Sequence, residues 1–338
     1  MGLKIELSLE PYKPGKTCSL SNVQNFASSR HAICMLSSVR FFLKGGIKAV
    51  MYRVVKKAVL APTLNLFEIE APLVARKAMA GQFIILRVDE VGERIPLTIA
   101  DYDRGRGTIT CVFQEVGKTT KELGALNEGD YLQDFVGPLG MPSHIENFGR
   151  VICVGGGVGV APVFPIARAL KEAGNEVIGI MGARTKDLLF WEEKMRSACS
   201  ELHVTTDDGS YVRKGFVTDL LREVIEEKKD VGLCVAIGPL PMMRAVCNLT
   251  KDYDLKTIVS LNSIMVDGTG MCGCCRVNVG GEMRFACVDG PEFDGHQVDF
   301  AEMARRAVIY KPLEQQALNR FVEKQEHRCT CDCGGGEK

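Results

Sequence analysis

The sequence lacks the features that would direct a protein to nucleic acid or to membranes. It has no excess of one charge, since 42 basic residues balance 42 acidic residues and the formal net charge is zero. A neutral chain offers no electrostatic reason to bind nucleic acid or an anionic membrane surface. The longest apolar runs, such as Val151 to Val154, are far too short to span a bilayer. We therefore expect no nucleic-acid partner and no membrane partner.

Targeting signals and internal repeats are also missing. The myristoylation pattern fails because Glu6 stands where serine or threonine is required. A transit peptide is disfavoured rather than excluded, because Glu6 and Glu10 carry the wrong charge for one, and we expect no secretory signal. The first fifty residues show little periodicity. We predict that residues 1–50 form a poorly ordered extension and that Met51 opens the first domain.

Cysteine, in contrast, is abundant and unevenly spread, with fourteen residues in all. Four cysteines lie within sixteen residues: Cys272, Cys274, Cys275 and Cys287. Three more close the chain: Cys329, Cys331 and Cys333. Disulfide frameworks are typical of short secreted domains, whereas clustered cysteines in a longer chain without a signal peptide indicate metal or redox chemistry. We expect a cytoplasmic protein of this second kind.

Residues 51–145 have the pattern of short strands bounded by turn residues. Leu64–Glu70 and Thr108–Gln114 are rich in β-forming side chains, and glycine or proline stands at their ends. Several strands at this spacing predict a small antiparallel barrel.

Residues 150–261 alternate between strands and helices. Val151–Val154 and Leu233–Ile237 are wholly apolar, as strands of a buried parallel sheet are. Between them we expect a helix capped by Thr218. This order predicts an α/β nucleotide-binding domain. Residues 262–300 form a cysteine segment, and residues 301–338 are predicted to be a helix followed by the cysteine-rich tail.

Two glycine-containing loops are candidate phosphate sites. The first lies between an apolar strand and a helix and contains Gly155, Gly156, Gly157 and Gly159. Glycine allows the backbone to approach a pyrophosphate closely, and the N–H groups at the following helix start favour negative charge. The second is Gly117–Thr120. A tight turn is the alternative explanation for each loop.

The cysteine segment has the spacing of an iron–sulfur site. Asp267, Cys272, Cys275 and Cys287 follow the plant-type [2Fe–2S] pattern, with aspartate in place of the first cysteine. Two alternatives stay open at this point. One is a zinc site formed by the four clustered cysteines. The other is a [2Fe–2S] cluster that uses Cys274 while Asp267 only shapes a turn. The cysteine tail is either a soft-metal site or a mobile thiol-rich end.

With these parts in this order, the chain resembles the ferredoxin-reductase-like flavoproteins that end in a [2Fe–2S] segment. The resemblance is greatest to the FAD and [2Fe–2S] subunits of NADH-dependent ferredoxin:NADP oxidoreductases, also called sulfide dehydrogenases. Electron-transfer subunits of dihydroorotate dehydrogenase B are close relatives. The likeness covers residues 51–300 and implies an antiparallel β-barrel FAD domain, a parallel-sheet NAD-binding domain and a small [2Fe–2S] segment.

The resemblance implies roles for residues in each part. FAD contacts are implied for Arg94, Pro96, Leu97, Thr98, Gly117, Lys118, Thr119 and Thr120. NAD(H) contacts are implied for Gly155, Gly156, Gly157, Gly159, Asp207, Asp208, Gly238 and Pro239. Arg94 is expected at the FAD pyrophosphate and Thr98 near the isoalloxazine ring. No acid–base residue is expected, because hydride transfer does not need one.

The resemblance also implies a partner and a reaction. Electrons would pass between NAD(H), FAD and the cluster, and a larger glutamate-synthase-like subunit with its own flavin and [4Fe–4S] clusters would use NADPH and ferredoxin. The complex would bifurcate electrons. Alternatives are an electron-transfer subunit of dihydroorotate dehydrogenase B or of a hydrogenase, and a non-enzymatic zinc or thiol redox sensor.

Overall fold

The computed structural model describes residues 51–332, with side chains through residue 323. The predicted extension of residues 1–50 and the end of the cysteine tail lie outside the described residues. So do the side chains of Cys329 and Cys331, although their backbone belongs to the last helix. Within residues 51–332, no helix is both long enough and apolar enough to cross a membrane.

The first part of the described chain is a seven-stranded antiparallel sheet that nearly closes on itself. Its strand order is β6-β1-β2-β5-β4-β3-β7. The edge strands β6 and β7 are joined by the single residue Gln133, so the two edges of the sheet lie close together. The strands are β1 (Tyr52–Ala61), β2 (Leu64–Glu70), β3 (Phe83–Arg87), β4 (Ile95–Asp103), β5 (Thr108–Gln114), β6 (Tyr131–Leu132) and β7 (Asp134–Leu139). Two short helices, α1 (Pro72–Lys77) and α2 (Lys118–Gly124), connect them.

The barrel has its own apolar core. Phe67 and Phe113 meet edge to face with ring centroids 5.1 Å apart, a favourable arrangement for aromatic pairs. Residues Thr108 to Phe113 of β5 are all buried, which explains why this segment reads as a continuous strand in the sequence.

The second sheet is α/β in character, with the order β10-β9-β8-β11-β12-β15. Five of its strands are parallel, and β15 pairs antiparallel at the edge. The strands are β8 (Arg150–Gly156), β9 (Glu176–Ala183), β10 (Glu201–Thr206), β11 (Val231–Ile237), β12 (Thr257–Ser260) and β15 (Glu292–Asp294). Its helices are α3 (Val160–Glu172), α4 (Glu192–Ala198), α5 (Val217–Lys228) and α6 (Leu240–Asp252).

Both faces of this sheet are covered. Ile152 and Val154 of β8 belong to one apolar cluster, which includes Leu221 of α5. Val151 and Cys153 belong to the other, on the α3 side. Alternate side chains of a strand point to opposite faces, so a wholly apolar strand is required here.

One predicted helix cap is wrong. The residue that caps α5 is Phe216 rather than Thr218, because the chain enters the helix two residues earlier. The backbone N–H of Phe216 donates to Asp219 Oδ2 at 2.8 Å, so a carboxylate in the first turn does the capping.

The last part of the described chain begins with a hairpin, β13 (Arg276–Val279) and β14 (Glu282–Phe285), which turns through two positive-φ glycines. β15 then joins the edge of the second sheet. Two helices follow, α7 (Phe300–Arg306), capped by the Asp299 carboxylate, and α8 (Lys311–Asp332). The helix expected after residue 300 is therefore interrupted at residues 307–310.

Candidate functional site

The flavin residues predicted on the barrel lie along one strand and are accessible. Pro96, Leu97 and Thr98 of β4 pair with β3 and are half-buried, whereas the next residue, Ile99, is fully buried. Arg94 precedes the strand, and its side chain is 46% exposed. Its Nη2 lies 3.9 Å from Asp134 Oδ2. A cation beside a half-buried strand is suited to a flavin whose diphosphate extends from an apolar ring.

The second predicted phosphate loop lies next to this strand. Thr119 Oγ1 donates to Glu93 Oε2 at 2.7 Å, which ties the start of α2 to the residue before Arg94. Thr120 Oγ1 accepts from the N–H of Gly117 at 3.0 Å. A Cβ on Gly117 would meet nothing within 4 Å, so open space lies in front of the loop. The structure thus brings both sets of predicted flavin residues to one surface.

The glycine loop after β8 is the predicted nucleotide site. A Cβ on Gly159 would lie 2.2 Å from the carbonyl oxygen of Ile237, and Gly157 has a φ of +54°. A side chain would therefore displace backbone at the first position and strain it at the second. The loop leads directly into α3, whose N-terminus offers free N–H groups to a pyrophosphate.

Gly238 and Pro239 lie beside the glycine loop. Ile237 pairs with Gly155, and a Cβ on Gly238 would lie 3.1 Å from the carbonyl oxygen of Gly156. From β8 the chain adds β9 and β10 on one side of the sheet and then returns to add β11 and β12 on the other, so β8 and β11 flank the topological switch point. Ligands of open α/β sheets bind in the crevice at this point.

Asp207 and Asp208 also lie at the carboxyl ends of the strands, but farther from the glycine loop. They follow β10, two strands from β8, which is about 10 Å at ordinary strand spacing. Hydrogen bonds from the hydroxyl and N–H of Ser210 hold the pKa of Asp208 below its usual value. These carboxylates are suited to the far end of a dinucleotide rather than to its pyrophosphate.

The predicted cluster ligands fall into two pairs. Cys275 and Cys287 are buried, with their Sγ atoms 3.2 Å apart, much farther than the roughly 2.05 Å of a disulfide. Asp267 Oδ2 accepts from the N–H of Cys272 at 3.0 Å. Among residues 51–323, no three ligand side chains converge on one point as a single metal ion requires. Two separate pairs of ligands would suit a cluster of two irons better than a single ion.

The electrostatics of the loop also fit a metal centre. Burial of the Asp267 carboxyl raises its pKa, but N–H bonds from Thr269 and Cys272 outweigh burial and hold the pKa of Asp267 below its usual value. Burial is the main reason why the pKa of Cys287 is raised to about 12, and the neighbouring Cys275 thiol raises it further. Thiolate at this depth needs a positive charge beside it, which a metal supplies.

The cluster loop packs on the strand next to the flavin residues. Gly268, with a φ of +73°, lies so close that a Cβ would be 2.9 Å from Cδ1 of Ile85 and 2.8 Å from Cδ1 of Leu139. Ile85 is paired with Pro96 across β3 and β4. Only one strand therefore separates the cluster loop from the predicted flavin residues.

Two contacts at these sites carry no signal in the sequence. Glu93 Oε2 accepts a hydrogen bond from Thr119 Oγ1. Arg306 Nη2 donates to the carbonyl of Cys274 at 3.0 Å, so α7 supports the cluster loop. Each contact joins segments that are distant in the chain.

The comparisons with known proteins agree with this arrangement. The iron–sulfur cluster binding domain of dihydroorotate dehydrogenase B matches residues 262–299, and an oxidoreductase NAD-binding domain matches residues 153–248. A Clostridium beijerinckii protein without a described function is 52% identical over 294 residues, which are 84% of this chain and 99% of that protein.

Two further relatives have described functions. A Thermotoga maritima homolog of the dihydroorotate dehydrogenase B (NAD(+)) electron transfer subunit is 47% identical over 270 residues, covering 80% of this chain and 95% of the homolog. A chain in a solved structure of the NADH-dependent reduced ferredoxin-NADP oxidoreductase, a subject of work on flavin-based electron bifurcation, is 46% identical with a TM-score of 0.77. The match covers 83% of this chain and all of that one.

These findings confirm the predicted ferredoxin-reductase-like fold and the oxidoreductase function. They also confirm the three cofactors and give no support to a zinc protein. A larger partner subunit is implied, because the relatives are electron-transfer subunits of complexes. The individual contact residues stay predictions. This chain belongs to the family of dihydroorotate dehydrogenase B-type electron-transfer subunits, which use FAD, a [2Fe–2S] cluster and NAD(H).

Proposed function

We propose that the chain is the FAD and [2Fe–2S] subunit of an electron-bifurcating NADH-dependent ferredoxin:NADP oxidoreductase. The observation that carries this proposal is the carboxylate at the first cluster position, Asp267, held beside Cys272 by its N–H bond. An aspartate with three cysteines is the ligand set that the resemblance associates with these enzymes. A carboxylate is a harder ligand than thiolate, so the cluster should differ in potential from a four-cysteine centre.

The chain's own residues have distinct roles in this function. The N–H groups of the Gly155–Gly159 loop bind the nucleotide pyrophosphate and hold the nicotinamide toward the barrel. Arg94 and the Gly117–Thr120 loop hold the FAD diphosphate, while Pro96 to Thr98 support its ring. Bound FAD takes up electrons in pairs and releases them singly. Asp267, Cys272, Cys275 and Cys287 hold the cluster next to the barrel.

The larger subunit is proposed to bind at the cluster loop. Cys272 is exposed there, and its neighbour Met271 is 81% exposed. Val288, 44% exposed, lies beside Gly270 of the same loop. Exposed apolar side chains grouped around a redox ligand favour a protein partner, because contact there shortens the electron path. The proposed partner is a glutamate-synthase-like subunit with flavin and [4Fe–4S] clusters, and ferredoxin would react through it. The cytoplasmic location stays a prediction.

The experiment is anaerobic purification of the chain with its partner, followed by a coupled assay. Under bifurcation, oxidation of NADPH drives reduction of ferredoxin and NAD in the same turnover, and omission of either acceptor stops both. If each acceptor is reduced independently of the other, bifurcation is excluded. If no larger flavin subunit accompanies the chain, the proposed complex is excluded.

A second candidate is the electron-transfer subunit of a dihydroorotate dehydrogenase B. The match of residues 262–299 to the iron–sulfur domain of that enzyme favours it. In this case the purified complex reduces NAD with dihydroorotate and needs no ferredoxin, so the two candidates differ in the same preparation.

A further inference from the structure

One carboxylate of the flavin barrel is bound by two cations of the nucleotide-binding sheet. Asp101 lies on β4, and its side chain is 18% exposed. Its Oδ1 is 2.9 Å from Arg168 Nη1, and its Oδ2 is 3.2 Å from Lys194 Nζ. Arg168 belongs to α3 and Lys194 to α4. We refer to Asp101, Arg168 and Lys194 as the Asp101 link.

The two cations are themselves held in place by aromatic rings. The Arg168 guanidinium lies 5.0 Å from the ring centroid of Phe164, and Lys194 Nζ lies 4.1 Å from that of Trp191. The rings of Phe164 and Trp191 pack against each other at 5.7 Å. Cations fixed over aromatic faces lose little freedom when they bind a carboxylate, so the Asp101 link is stronger than an exposed ion pair.

The Asp101 link connects β4, which carries the predicted flavin residues, to α3, which follows the glycine loop. Asp101 is three residues beyond Thr98, about 10 Å along the same strand. Arg168 is eight residues beyond Val160, which is about 12 Å along α3. Val160 packs closely against the glycine loop, since a Cβ added to Gly155 would lie 3.0 Å from Val160 Cα. A movement of α3 therefore carries the glycine loop with it. Movement relative to β4 changes the distance from nucleotide to flavin.

We propose that Asp101 is a positioning residue for hydride transfer, because its carboxylate fixes α3 and α4 against the flavin strand and so sets the approach of the nicotinamide to the flavin ring. In the proposed reaction NADH would give a hydride, with both electrons of its C–H bond, to FAD, so that a new bond to hydrogen forms on the flavin and NAD⁺ is left. Asp101 neither gives nor takes a proton. The proposal rests on the flavin and nucleotide sites proposed above and is independent of the partner subunit.

The test compares Asp101→Asn with Asp103→Asn in the full-length holoprotein. Asparagine at 101 keeps the shape but loses the charge that binds both cations. Asp103 lies on the same strand and is exposed. Its Oδ1 accepts hydrogen bonds from the N–H groups of Gly105 and Arg106, and the side-chain oxygen of an asparagine can accept the same two bonds. It is therefore a matched control for the substitution itself.

Three quantities are measured: the Kd of NADH, the limiting rate of flavin reduction by NADH under single-turnover conditions, and the charge-transfer absorbance between nicotinamide and flavin. For Asp101→Asn we expect the limiting rate to fall by about 10- to 100-fold, since misplacement of about 1 Å has this effect. The charge-transfer absorbance should weaken in parallel. The Kd of NADH should change less than about threefold, because the glycine loop itself is unaltered.

A role in stability alone predicts a different pattern. Asp101→Asn would then lower the melting temperature while the limiting rate and charge-transfer absorbance of the folded protein stay at wild-type values, and this result would overturn the proposal. An equal effect of Asp103→Asn would also overturn it.

Should Asp101→Asn fail to fold, Arg168→Gln and Lys194→Gln remove one arm of the link each. Each is expected to lower the rate and the charge-transfer absorbance in the same direction by a smaller factor. Wild-type values in both variants would again refute the role. If wild-type flavin is reduced by NADH but no bifurcation is seen, the proposed complex fails while the Asp101 proposal stands. If NADH does not reduce the wild-type flavin, both the flavin and nucleotide sites and this inference fail together.

Discussion

Glu292 provides the sharpest test of the packing between the barrel and the cluster segment. Its Oε1 accepts from Ser143 Oγ at 2.5 Å, across 149 residues of sequence. The two side chains lie over Gly81, where a Cβ would be 2.2 Å from Ser143 Oγ and 2.8 Å from Glu292 Oε1. The residue as a whole is half-buried. Burial raises the pKa of Glu292 to about 7, and the Ser143 bond lowers it only in part.

The sign of the pH effect follows from this pKa. The folded protein holds the Glu292 proton up to about pH 7, whereas the unfolded chain releases it near 4.5. The stabilising contribution is therefore complete below about pH 4.5 and is lost as the pH rises to about 7. The difference corresponds to about 3 kcal/mol, an upper limit because water reaches part of the site. His144, Lys256 and Asp294 line the same cavity of about 200 Å³.

The variant Glu292→Gln keeps a hydrogen-bond acceptor for Ser143 and removes the titrating carboxyl. The melting temperature of the anaerobic holoprotein is measured across this pH range by calorimetry. Relative to wild type, Glu292→Gln should gain stability as the pH rises, up to roughly 6 °C. Glu282→Gln, at a carboxylate 68% exposed, is the control and should follow wild type at every pH. Parallel pH profiles for wild type and Glu292→Gln would show that Glu292 does not titrate with a raised pKa in the folded protein.

Three further predictions concern the cofactor sites. Gly159→Ala should weaken NADH binding at least about tenfold while the FAD content stays normal, because the new Cβ would clash with the backbone of Ile237. Titration with NADH measures the affinity, and an unchanged affinity would contradict this prediction. Cys275→Ser should lose iron but keep flavin, whereas Cys274→Ser should keep both iron and flavin; the iron and flavin contents of each purified variant are measured. Loss of iron in Cys274→Ser alone would make Cys274, and not Cys275, the ligand. Asp267→Cys should retain a cluster with an altered EPR signal, and an identical signal would remove Asp267 from the ligands.

Much of the architecture follows from local sequence. The apolar run of β8 is buried on both faces, and the glycines after it are required by backbone contacts such as that of Gly159 with Ile237. The spacing of Cys272 and Cys275 within one glycine-rich loop is also a local property, and Cys287 follows after a single hairpin. Periodicity and short spacings are visible in sequence because they act over a few residues.

The tertiary structure alone decides how the parts meet. β15 leaves the cluster segment to complete the nucleotide-binding sheet, and the helix cap moves from Thr218 to Phe216 with the path of the chain. Asp101 and Glu292 look like ordinary surface carboxylates in the sequence, yet each joins two parts of the molecule. Their roles depend on contacts between residues that are 67 to 149 positions apart. Such contacts leave no periodic pattern, because burial and charge at these points are properties of the packed chain and not of any short segment.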